Sequence, residues 1–182
     1  MPFNEDLSVE RSDNWPRLVQ IGWLIADEEG TVLNKKSAII YPDGYSIPES
    51  ATKVHHITTE RARIEGKQLA TILREFMQDF EQTDHLVAHN IKFDQHVIGA
   101  ELYRLNMQYQ SFMDKNGICT MLSSINYCQL PNQNGYADYK WPKLEELYRK
   151  LFNRDFADAH DALSDVMATK ECFFELKRRG II

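Results

Sequence analysis

Ala159-His160-Asp161-Ala162-Leu163-Ser164-Asp165-Val166 opens the last long helical pattern of the chain, and its reading decides how the rest is arranged. His160 and Asp165 are five residues apart. On one continuous helix that spacing would point the two side chains about 140° apart. They converge on one site only if His160 lies in a loop and Asp165 in the first turns of the helix. Asp161 suits the cap of a helix that starts there. Beyond it, Ala162, Val166, Thr169, Phe173 and Leu176 keep a four–three spacing, which predicts the buried stripe of a helix running to about Arg179. The stretch thus places a carboxylate near a helix start with an imidazole beside it. A neutral imidazole can take a proton near pH 7, and a carboxylate can hold a hard cation. A capped, solvated helix end has the same pattern, so this stretch alone leaves both readings open.

A second junction lies upstream. His85-Leu86-Val87-Ala88-His89 is short and apolar between polar flanks, which predicts a buried strand. Asn90 can cap the helix that follows, from Ile91 to about Met107. On that helix Asp94, Ile98, Leu102 and Leu105 fall on one line, so Asp94 is expected to face inward. The helix dipole favours a carboxylate in the first turn by ~0.3–1 kcal/mol, but does not require it to face the core. An inward carboxylate needs a cation or a hydrogen-bond donor, because burying it unpaired is costly.

The remaining pattern is that of an α/β domain. Arg17 to Ala26 and Thr31 to Tyr41 alternate as two strands, joined at Asp27-Glu28-Glu29-Gly30, a hairpin turn. Gly22 in the middle of the first predicts close backbone approach or a bulge. Ala51 to Thr58 reads as a helical turn and an elbow, and Thr59 to Glu65 as a short helix stopped by Gly66. Lys67 to Phe80 is strongly amphipathic. Gly117 to Thr120 predicts a short strand, Met121 to Cys128 a helix, and Trp141-Pro142 the start of a helix through about Leu151. The order is strand, strand, helix, strand, helix, strand, helices: a mixed sheet with a leading antiparallel hairpin, flanked by helices.

The 182 residues fit a single domain spanning 1–182, with 43% apolar and 26% charged residues, ordinary for a soluble globular chain. There is no 18-residue apolar run and no signal peptide, so no membrane association is expected. Cys119, Cys128 and Cys172 are odd in number and widely spaced, which fits free thiols in the cytoplasm. A net charge of -6 disfavours coating of nucleic acid by bulk electrostatics, though not an enzyme that reaches phosphates through bound metal. His85 and His89 sit on a predicted strand, where their spacing builds no zinc pair. Lys177-Arg178-Arg179 reads as a solvated helix end, and Trp141 with the tyrosines of 136–148 as packing residues rather than base-stacking platforms.

Together these fragments resemble the DEDD-type 3′–5′ exonucleases of the histidine subclass, a ribonuclease H-like family that includes the epsilon subunit of bacterial replicative polymerase. The family's HNxxFD signature matches Asn90, Phe93 and Asp94, and its AHDAxxD signature matches Ala159, His160, Asp161, Ala162 and Asp165. Trp15 to Ile21 resembles the strand after the family's first motif. Ala51 to Thr58 resembles its AxxxHGIT segment, with His55 on the histidine and His56 in place of the glycine. Each motif is weak alone; four in order are specific. The resemblance implies two divalent cations, Mg²⁺ or Mn²⁺, with Asp94 and Asp165 as metal ligands and His160 as general base. It also implies that Asn90 and Phe93 shape the site or meet the terminal nucleotide, and that His55 contacts the substrate or supports the elbow, the substrate being the 3′ end of single-stranded DNA or RNA. Pairing with itself or with a polymerase is left open.

One departure stands out. The family's first strand carries DxE, and no such strand occurs here; Glu5, Asp6 and Glu10 lie in a polar segment without strand pattern. The central first strand is therefore expected to be absent from this chain. Of three explanations, a start within a longer enzyme is favoured. The others are a homologue that has lost catalysis and kept a nucleic-acid or protein-binding role, and ligands supplied by a second chain.

Overall fold

The computed structural model describes residues 4, 6–132, 139–156 and 161–182. β1 (Gln20–Ala26) and β2 (Val32–Ile39) form an antiparallel hairpin, with Ile21 opposite Ala38 and Trp23 opposite Lys36. Its turn is held by Asp27, whose Oδ1 accepts from the amides of Glu29 (3.1 Å) and Thr31 (2.7 Å). The alternation places Ile21 and Trp23 in the core, and a register shift at Ile25/Ala26 ends it. After the hairpin come α1 (Glu49–His55), α2 (Thr59–Glu65) and α3 (Leu69–Phe80). The α1 helix ends because His56 adopts the left-handed conformation, φ 57°. That position usually takes glycine, which explains the family's glycine there and charges histidine about 1 kcal/mol of strain.

β3 (Leu86–Ala88) leads into α4 (Ile91–Arg104), then a single turn α5 (Gln110–Met113) and β4 (Gly117–Cys119). β4 lies parallel to β3, with Val87 opposite Ile118. α4 stops about three residues short of the sequence expectation. The Asn106 amide bonds Tyr103 O and the Met107 amide bonds Leu102 O, while Asn106 is left-handed: a Schellman ending. The helix expected from Met121 to Cys128 is two single turns, α6 (Thr120–Ser123) and α7 (Ile125–Cys128). They break at Ser124, whose hydroxyl donates back to Thr120 O at 2.7 Å. α8 (Leu144–Phe152) begins later than predicted: Pro142 lies before it in extended chain, buried, rather than at its first position.

α9 (Ala162–Arg178) is the expected long helix, capped by Asp161, which accepts from the amides of Leu163 and Ser164. Its buried residues are Thr169 and Leu176 of the predicted stripe together with Ala168 and Cys172 beside it, because α9 packs on α8 as well as on the sheet. Its start lies against β1. A Cβ on Gly22 would come within 2.7 Å of the Ala162 carbonyl carbon and oxygen, so close approach is the reason for that glycine. Gly22→Ala is expected to destabilise the fold by about 1–3 kcal/mol through displacement of α9, measurable by urea denaturation; an unchanged midpoint would contradict the contact.

Two layers of core result. Ile21, Trp23, Ile40, Ile72, Leu73, Phe76, Phe80, Leu102 and Phe112 fill one side of the sheet, and α7, α8 and α9 share the second cluster. Among the described residues the sheet is in two halves: β1 pairs only with β2, and β3 only with β4. β3 is accordingly half-buried rather than buried as its sequence suggests. α9 packs against strands of both halves. Among the described residues no helix is long and apolar enough to cross a membrane.

Candidate active site

The site forms where β3 turns into α4. Asn90 makes that turn in the left-handed conformation (φ 68°, ψ 49°), which asparagine tolerates better than most residues. It does not cap the helix through its side chain, contrary to the sequence expectation. Its amide group is therefore available to something else. Phe93 is half-buried and packs on the main core.

Asp94 stands in the first turn of α4. It is exposed, not buried as the sequence line predicted. Protein crowds it elsewhere, and the resulting desolvation raises its carboxyl from 3.8 to about 7. No hydrogen bond or ion pair to another described residue offsets this. An accessible carboxylate in crowded surroundings without a donor is chemically suited to a divalent cation.

Asp165 occupies the first turn of α9 and is half-buried. Asp94 and Asp165 therefore ride on the opening turns of two helices that both pack against β3. His160 lies outside the described residues. Among the described residues, no group of three or more His, Cys, Asp or Glu side chains gathers as a metal site.

His55 ends α1, and its Nδ1 accepts from the Ile57 amide at 3.1 Å, so the ring braces the elbow. Desolvation lowers its pKa and keeps it neutral. The proton then sits on Nε2, which is buried without a hydrogen-bond partner among the described residues. His89 is a structural pin. Its Nε2 donates to Pro142 O at 2.9 Å, so its Nδ1 accepts from the Thr120 hydroxyl at 3.1 Å. Burial lowers its pKa as well.

Sequence reasoning missed Glu101, which fixes α4 and hence Asp94. Its fully buried Oε1 accepts from Arg17 Nε (2.9 Å) and the Leu18 amide (2.8 Å), with Arg104 Nη1 at 3.1 Å. The signal was present: Glu101 sits between apolar stripe positions, one turn beyond Ile98. The arginines at the end of α9 are structural too. Arg178 and Arg179 both bond Glu175, and Arg179 also reaches Leu151 O and the Tyr127 hydroxyl.

Residues 12–173 match the family model described as Exonuclease. A curated relative, the DNA polymerase III subunit epsilon of Treponema pallidum (strain Nichols), is 33% identical over 86 residues, 47% of this chain and 38% of the relative. Escherichia coli Exonuclease I, solved in complex with a dA16 oligonucleotide, superposes with a TM-score of 0.73 at 22% identity, covering 88% of this chain and 37% of that one. Its zinc-bound form with single-stranded DNA gives 0.72 at 21% identity, covering 90% and 37%. The chain thus spans about two-fifths of the length of these relatives, and the structural likeness shows the fold. The match over most of the chain and the shared architecture make it a member of the Exonuclease family, a DEDD-type domain of ribonuclease H-like fold.

Proposed function

We propose that this domain hydrolyses nucleotides from the 3′ ends of single-stranded DNA or RNA. The observation that carries this is placement: Asp94 and Asp165, the two motif aspartates, stand in the opening turns of two helices that both pack against β3. Asp94 and Asp165 are the residues that would hold two divalent cations, Mg²⁺ or Mn²⁺. Such ions, when bound, stabilise the attacking and leaving oxygens. His160 takes the proton of the attacking water. A P–O bond forms to that water, the bond to the upstream 3′ oxygen breaks, and a nucleoside 5′-monophosphate leaves. The Asn90 amide and Phe93 are suited to meet the terminal nucleotide, while His55, with its Nε2 buried, supports the elbow.

Two aspartates are half of a two-metal site. β1 and β3 each keep an edge unpaired among the described residues. A strand bearing Asp-x-Glu between them would join the halves and complete the carboxylate set. The second reading, a binding module that has lost catalysis, is favoured by the absence of a three-ligand cluster among the described residues. Stepwise shortening of a 5′-labelled single strand, stopped by a chelator, separates the two; binding without shortening supports the module. By analogy with the epsilon relative, a polymerase is the partner to test first.

A further inference from the structure

Trp141 departs from its expected packing role. The chain holds three tryptophans. Trp15 and Trp23 are 3% and 8% exposed, whereas Trp141 is 58% exposed. An open indole is costly to leave in water and calls for a reason. The segment carrying it is extended, with Lys143 at φ -71°, ψ 160°. Alternate residues of an extended chain point to opposite sides. Pro142 points inward and is fully buried, so Trp141 and Lys143 project together outward. Lys143 forms no ion pair with any described residue, while neighbouring Lys140 is paired with Glu146 at 2.5 Å.

The position of this pair is set by His89. Its ring bonds the carbonyl of Pro142, between Trp141 and Lys143, and the hydroxyl of Thr120. His89 immediately precedes Asn90, the turn into the helix of Asp94. A half-buried imidazole thus pins an exposed aromatic and an exposed lysine next to the strand end that carries the candidate site.

We propose that Trp141 is a stacking platform for a nucleobase of the single strand upstream of the terminal nucleotide, with Lys143 on the adjoining phosphate. The inference rests on the nuclease reading and adds a subsite to it. An aromatic face beside a cation is the chemistry that holds single strands without regard to sequence. His89 is the positioning residue.

The test is binding of an oligothymidylate of about ten nucleotides to the full chain, with Ca²⁺ present to avoid turnover, followed by intrinsic fluorescence. Because Trp141 is the exposed tryptophan, its emission should be quenched on saturation. Trp141→Ala should weaken the oligonucleotide about 5- to 100-fold, and Trp141→Phe, which keeps a stacking face, should recover most of that loss. Thymidine 5′-monophosphate, which occupies only the terminal site, should bind Trp141→Ala as well as wild type. Unchanged oligonucleotide affinity in Trp141→Ala, or unquenched emission at saturation, overturns the platform while leaving the nuclease reading in place. If neither oligonucleotide nor mononucleotide binds the wild type, both fall.

Discussion

Adding an apolar strand that carries Asp-x-Glu ahead of Met1 is expected to raise 3′–5′ exonuclease activity at least about 10³-fold over that of residues 1–182 alone. The reason is the donor count. Asp94 and Asp165 offer two carboxylates, and no third ligand joins them among the described residues. Ions ~3.5–4 Å apart need more negative charge than that, and stabilisation of the attacking and leaving oxygens is worth several kcal/mol. The same strand would pair the edges of β1 and β3 that are unpaired among the described residues, so melting temperature should rise with activity. Removing the strand's two acids should abolish the rate gain and keep the stability gain. Full Mg²⁺-dependent activity in residues 1–182 alone would contradict this account of the site.

Asp94→Asn is expected to act in opposite directions on stability and function. The sign follows from the raised pKa. Below 3.8 the carboxyl is protonated folded and unfolded, and it costs nothing. Between 3.8 and about 7 the unfolded chain ionises first, so stability falls as pH rises; above about 7 the penalty is complete. Asparagine mimics the protonated form. The variant should therefore match wild type near pH 4 and be more stable above pH 7 in the absence of metal. Mn²⁺ should stabilise wild type and leave the variant unmoved, and in the strand-completed chain the variant should lose about 10³-fold or more in rate. Denaturation curves at acid and alkaline pH, with and without Mn²⁺, check this. A variant less stable than wild type at pH 8 would mean that Asp94 already has a partner in the fold.

The fold was readable in the sequence because its signals are local. The alternation around Ile21 and Trp23, the stripe of α3 and the Asp161 cap each follow from a few neighbouring residues. Gly22 reads as close approach or a bulge; the structure shows close approach, to Ala162, which lies 140 residues on and could not be named. The errors have the same origin. Asn90 looks like a cap and is a left-handed turn, since a short polar side chain serves either use. Asp94 falls on an apolar line yet stays open to solvent, because α4 buries the adjoining face through Val97, Ala100 and Glu101. Trp141 and Pro142 read as a helix start; a histidine 53 residues upstream holds them extended instead. What escaped was what depends on partners distant in the chain.

The most direct test of the metal site is diffraction from crystals of the strand-completed chain grown with Mn²⁺ and a nucleoside 5′-monophosphate, using the anomalous signal of manganese. The expected result is a Mn²⁺ ion bonded to carboxylate oxygens of both Asp94 and Asp165 at about 2.1–2.2 Å, with the phosphate against it and the His160 ring turned toward the site. Manganese bound elsewhere, with the Asp94 and Asp165 carboxylates sharing no ion, would contradict it.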